Sequence, residues 1–126
     1  KKDKGTEVYL KHMKELQHYA KEKGLKALTI EPMSCMAEPP TTPDEMDYYI
    51  NTLNNYHKQN LSATVPVWLC GDISHGLADI NKNIVYSNID LFKAGIPLMS
   101  EFHFKNTDAI YNSTFGLSDE EIKKGI

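Results

Sequence analysis

The chain has 126 residues, 40% hydrophobic and 25% charged, with a net charge of −3. That length holds one compact domain rather than two of ordinary size, and no apolar run approaches the roughly 18–20 residues of a membrane helix, so a soluble globular chain is expected. The 14 Lys and Arg are scattered, apart from Lys1, Lys2, Lys4 and the alternating Lys11, Lys14, Lys21 and Lys23; a solvated helix face explains these better than a nucleic-acid surface, and neither nucleic acid nor membrane is expected as a partner.

In chain order, Leu10, Met13, Leu16 and Ala20 fall on one stripe between Thr6 and Lys23, with Gly24 placed to cap the end, which predicts an amphipathic helix. Leu25 to Ile30 is a short apolar run that reads as a strand delivering Glu31 at its C-terminal end, before Pro32 and a Pro-rich loop. Thr42-Pro43-Asp44-Glu45 carries an N-cap, a proline at the first helical position and a capping box, and Met46, Tyr49, Ile50 and Leu53 continue as a buried stripe. Val65 to Cys70 is a nearly continuous apolar run, as in a strand covered on both faces, and it ends in Gly71-Asp72. Ile84 to Ala94 is expected to be helical and to close on Gly95, and Ile96 to Phe104 to form a third strand ending near His103. The order α, β, α, β, α, β implies α/β architecture, a parallel sheet with helices outside.

The chain begins at Lys1 rather than Met and stops at Ile126 inside the helical pattern of Ser118 to Lys124. Both ends are therefore expected to be cut, and residues 1–126 are read as a single partial domain. Cys35 and Cys70 form no CxxC pair and no signal-peptide pattern opens the chain, which makes a reducing cytoplasm the default; small buried residues at strand ends are the roles expected of them.

Forty-one residues separate Glu31 from Asp72 and thirty-one separate Asp72 from His103, close to one strand-helix unit each. In a parallel barrel the C-terminal ends of neighbouring strands open onto one mouth, so residues distant in sequence meet there. Two carboxylates and an imidazole suit Mn²⁺, Mg²⁺, Co²⁺ or Zn²⁺ in an open site, and spacing does not choose among them. Each residue also has a structural alternative: Glu31 as a strand-terminating ion pair, Asp72 as the cap of a Gly-Asp-x-Ser turn, His103 as a satisfied core histidine. His75, three residues after Asp72, and Lys105 and Asp108, after His103, favour the functional side. His12, His18 and His57 are expected at the surface of helices. Glu101 shares a strand face with His103 under simple alternation, with pairing to Lys105 as its structural alternative. The hydroxyl-rich run from Asn112 to Ser118 precedes a helix start, a setting that either holds an anion or is only a capped loop.

Ile30-Glu31-Pro32, Gly71-Asp72-x-x-His75 and His103-Phe104-Lys105-x-x-Asp108 resemble the xylose isomerase-like TIM barrels, specifically the sugar phosphate isomerases and epimerases of the tagatose/psicose 3-epimerase branch. The resemblance runs from Leu25 to the end and corresponds to the fifth to seventh strands of a (β/α)8 barrel, about three βα units. It implies that Glu31, Asp72 and His103 ligate a divalent metal, that a second Glu after Ile126 completes the set, and that His75, Glu38, Lys105 and Asp108 contact substrate. The chain departs from that branch in offering no Arg shortly after His103.

The implied substrate is a small sugar or sugar phosphate, a ketose chelated through its carbonyl and an adjacent hydroxyl. Glu31 would serve as both ligand and general base, and isomerisation or epimerisation would pass through an enediolate. The alternatives are a metal-dependent DNA-repair endonuclease on the same barrel, which the charge of −3 opposes, and an inactive fragment. Three strands alone would expose two sheet edges, which leaves homo-oligomerisation open.

Overall fold

The computed structural model describes residues 2–34, 37–81 and 83–104. Cys35, Lys105, Asp108, the hydroxyl-rich run at 112–118 and the helix expected from 118 lie outside the described residues.

Helix α1 (Lys2–Glu22) ends in a Schellman cap: Leu25 N–H donates to Ala20 O at 2.9 Å, Gly24 N–H to Lys21 O at 3.0 Å, and Gly24 takes φ +77°, where the lack of a Cβ removes the strain. Its buried stripe is Leu10, Met13, Gln17 and Ala20, whereas the expected Leu16 is 46% exposed. The spacing explains the correction, because 10, 13, 17 and 20 span one arc of the helical period and 16 falls just outside its edge. Gln17 is tolerated there because its amide N–H₂ donates to Leu53 O at 3.2 Å and to Val65 O at 2.8 Å.

The cap consumes Leu25, so β1 is only Leu28–Ile30. Helix α2 (Pro43–Gln59) begins as its capping residues predict, with Thr42 Oγ1 accepting from Glu45 N–H at 3.3 Å; the reciprocal bond runs from Thr41 N–H to Glu45 Oε2 at 2.8 Å. Met46, Tyr49, Ile50 and Leu53 are its buried face, as expected.

Strand β2 (Val67–Asp72) is pinned at its start by Asn54, whose side-chain amide donates to Val67 O at 2.8 Å and accepts from Val67 N–H at 2.9 Å. The expected helix from Ile84 is corrected: β3 (Leu77–Ala78) and β4 (Ile84–Tyr86) form an antiparallel hairpin, and α3 is Asn88–Gly95. Asp79 closes the hairpin turn by accepting from Asn81 N–H, Asn83 N–H and the Asn83 amide. Ser87 then caps α3, accepting from Asp90 N–H at 3.1 Å, so the β-branched pair Ile84-Val85 falls outside the helix. Ile96–Leu98 is a 3₁₀ turn rather than strand, and β5 is Met99–His103.

The described chain is thus mixed α/β with a parallel three-stranded sheet in the order β1-β2-β5. Ile30, Val67 and Leu69 face the helices and meet Leu10, Met13, Met46, Tyr49, Ile50, Leu53 and Leu91 in the core. Burying each such side chain stabilises by about 1.5–3 kcal/mol. The Met99 thioether lies against the α-carbons of Gly71 and Gly95, in the space where their side chains would stand. No helix among the described residues is long and apolar enough to cross a membrane.

Candidate metal centre

With Ile30, Val67 and Leu69 turned to the helices, strand alternation puts Glu31, Cys70 and Asp72 on the opposite face of the sheet. Glu31 directly follows β1, and Pro32 holds it in extended backbone, which keeps its side chain on that face. Asp72 is the last residue of β2 and His103 the last of β5.

The register between these two strands depends on a bulge. Leu69 pairs with Met99, but Cys70 pairs with Glu101, so Ser100 is an extra residue on β5. Were Ser100 paired with Cys70 in a regular ladder, Asp72 would stand beside Phe102; with Ser100 bulged out, Asp72 pairs with His103. A one-residue bulge exchanges the faces of every residue after it, and here it aims an imidazole at the carboxylates. Glu101 shares the face of His103 but is exposed rather than turned inward.

Ligand-type atoms of Glu31, Asp72 and His103 all lie within 4.8 Å of one another, and the three residues could hold a metal ion. His103 Nδ1 is 3.3 Å from Glu31 Oε1 and 3.7 Å from Asp72 Oδ2, and its Nε2 is 3.5 Å from Cys70 Sγ. The Asp72 side chain is fully buried and divides its work: Oδ1 accepts from Ser74 N–H at 2.9 Å and Ser74 O–H at 2.7 Å, while Oδ2 turns to the imidazoles. The turn-capping reading of Asp72 is thus carried by Oδ1, while Oδ2 belongs to the group of atoms that could hold a metal ion.

His75 is 3% exposed and held on both sides. Its Nδ1 lies 2.8 Å from Ser34 Oγ, and its Nε2 lies 3.1 Å from Glu31 Oε1 and 3.4 Å from Asp72 Oδ2. Ser34 had no signal in the sequence, since nothing periodic or motif-like marks a serine in a loop. Glu38 stands exposed in the loop before α2, outside the group of converging ligand atoms.

The electrostatics follow from this packing. Glu31 and Asp72 bring two carboxylates together at a partly buried position, and imidazoles offset that charge only while protonated. A divalent cation among these oxygens and nitrogens would offset it at any pH at which the ligands are deprotonated. A small cavity lined by Pro32, Gly71, Asp72, His75, Leu91 and Phe92 adjoins the cluster, and its mainly apolar wall strengthens the electrostatic interactions of the groups that border it.

No protein-family model, curated protein or solved structure matches the chain.

Proposed function

We propose that Glu31, Asp72 and His103 hold a divalent metal ion in a metal-dependent sugar or sugar-phosphate isomerase or epimerase, whose β1, β2 and β5 are neighbouring staves of a (β/α)8 barrel. The observation that carries this reading is the convergence of two carboxylates and an imidazole from three parallel strand ends, with ligand atoms within 4.8 Å. Oxygen and imidazole donors together suit Mn²⁺, Mg²⁺, Co²⁺ or Zn²⁺. When bound, such an ion supplies Lewis-acid polarisation of a ketose carbonyl and an adjacent hydroxyl.

In this reading Glu31 is the group that moves the proton. Its side chain is 31% exposed, so one carboxylate can both face the cluster and reach a small ligand in the mouth. A carboxylate is a weak base, which suits it only to a C–H acidified by a neighbouring polarised carbonyl. Asp72, fully buried, orients and binds rather than exchanging protons with solvent.

Titration calorimetry with Mn²⁺ and Co²⁺, followed by NMR of solvent-deuterium exchange into ketohexoses and their phosphates, tests the reading. Glu31→Gln, Asp72→Asn and His103→Ala are each expected to weaken metal binding and abolish exchange. Wild-type affinity and exchange in all three variants would sink it.

A further inference from the structure

We infer that His75 is a fourth protein ligand of the same ion, through Nε2, with Ser34 setting its tautomer. This rests on the metal-site reading above and gives the site a two-carboxylate, two-imidazole shell drawn wholly from residues of this chain.

The inference comes from four distances. Starting at Glu31 Oε1, the neighbouring atoms are His75 Nε2 at 3.1 Å, then Asp72 Oδ2 at 3.4 Å from that nitrogen, then His103 Nδ1 at 3.7 Å, which returns to Glu31 Oε1 at 3.3 Å. Oxygen and nitrogen alternate around the ring. Ligand atoms about 2.0–2.2 Å from one ion and 90–109° apart are separated by about 2.8–3.6 Å. Three sides of the ring fall in that window and the fourth is at its edge. Each imidazole nitrogen lies within 3.7 Å of both carboxylates, His75 from the buried side and His103 from the exposed one.

The second observation is the other face of the His75 ring. An imidazole that ligates through one nitrogen donates its remaining N–H to an acceptor, which fixes the tautomer and raises ligand basicity. Ser34 Oγ, 2.8 Å from Nδ1, is that acceptor. A hydroxyl both donates and accepts. In the metal-free protein it therefore donates to Nδ1 while Nε2–H bonds Glu31, and on metal binding it turns to accept from Nδ1–H, freeing the Nε2 lone pair. The ring itself, 3% exposed, need not move.

Pulsed EPR of the Cu²⁺-loaded wild-type protein counts coordinated imidazoles directly and needs no variant to fold. Two are expected; one overturns the inference. His75→Gln is expected to leave one imidazole and to weaken Co²⁺ binding at least about 100-fold, and Ser34→Ala to weaken it about 10–100-fold, the range for an outer partner of a ligating histidine. Unchanged affinity and imidazole count in His75→Gln, with loss in Glu31→Gln, Asp72→Asn and His103→Ala, would remove His75 from the shell and leave the three-residue site standing. Unchanged affinity in all four would remove the site itself.

Discussion

Strands β2 and β5 each end in a side chain of the candidate metal site, yet they reach it from opposite environments. In β2, Val67 and Leu69 are 0% exposed and the terminal Asp72 side chain is fully buried. In β5, Phe102 is 61% exposed and His103 54%. The first strand is held by packing on both sides and by parallel neighbours on both edges; β5 is held among the described residues through its pairing with β2, and its aim is set by one bulge. Stability and site geometry are thereby separated: β2 carries the fold, and β5 carries a candidate ligand whose position the fold only weakly requires.

The largest expected effect tests that separation directly. Leu69→Ala is expected to cost about 2–5 kcal/mol in urea unfolding, the range for emptying a packed core position, while Phe102→Ala, which gives up an edge-to-face contact with Phe92, should cost about 0.5–1.5 kcal/mol. Similar costs for the two would break the contrast. Next, insertion of one alanine between Phe102 and His103 should put the new residue beside Asp72 and carry His103 one place along, onto the other face. We expect Co²⁺ affinity to fall at least tenfold, about 1.4 kcal/mol, to the level of His103→Ala, with the circular dichroism of the fold retained. Retained affinity would show that the register tolerates the slip.

Two smaller effects concern the entry to β2. Asn54→Ala removes both bonds to the Val67 peptide and should cost about 1–3 kcal/mol, as for buried backbone groups left without partners; a cost near zero would mean that β2 is held by its side chains alone. The smallest concerns His57. Burial, then the Lys21 ammonium, holds its imidazole below the usual 6.5. Its Nδ1–H donates to Thr64 Oγ1, whose own proton goes to Asn60 O, a pattern that needs no charge on the ring. Because the unfolded chain binds the proton more readily, this contribution is full above pH 6.5 and declines as pH falls from 6.5 through the lowered value. His57→Gln should flatten the stability-against-pH curve in that window, read by thermal melts. An unchanged slope would assign the acid sensitivity elsewhere.

Much of the fold could be read from local chemistry. The Thr42-Pro43-Asp44-Glu45 cap, Gly24 and the apolar run into Asp72 each contain their own physical reason, and the structure places all three as their residues dictate. The gathering of Glu31, Asp72 and His103 was legible as far as it follows from parallel strands ending side by side, but not the register that sets His103 rather than Phe102 beside Asp72. What could not be read depends on partners far away in sequence. Gln17 is buried because two carbonyls, at Leu53 and Val65, wait for its amide, and no hydropathy pattern shows them. The hairpin of β3 and β4 was hidden because Ile84 and Val85 run into a helix start and lengthen its apolar pattern backwards. The Ser100 bulge has no composition of its own; it exists in the pairing of β5 with β2.

The seat of Met99 has a consequence for how this sequence can vary. An ideal Cβ at Gly95 would come within 2.7 Å of the Met99 methyl, and one at Gly71 would also meet its thioether. Three positions on separate elements therefore share one volume, so their substitution energies are not additive. Alanine at either glycine is compatible only with a shorter residue at 99, and a shorter residue at 99 with both glycines kept leaves a void beside Leu69. Homologous sequences should show these positions changing together, small for large, or not at all.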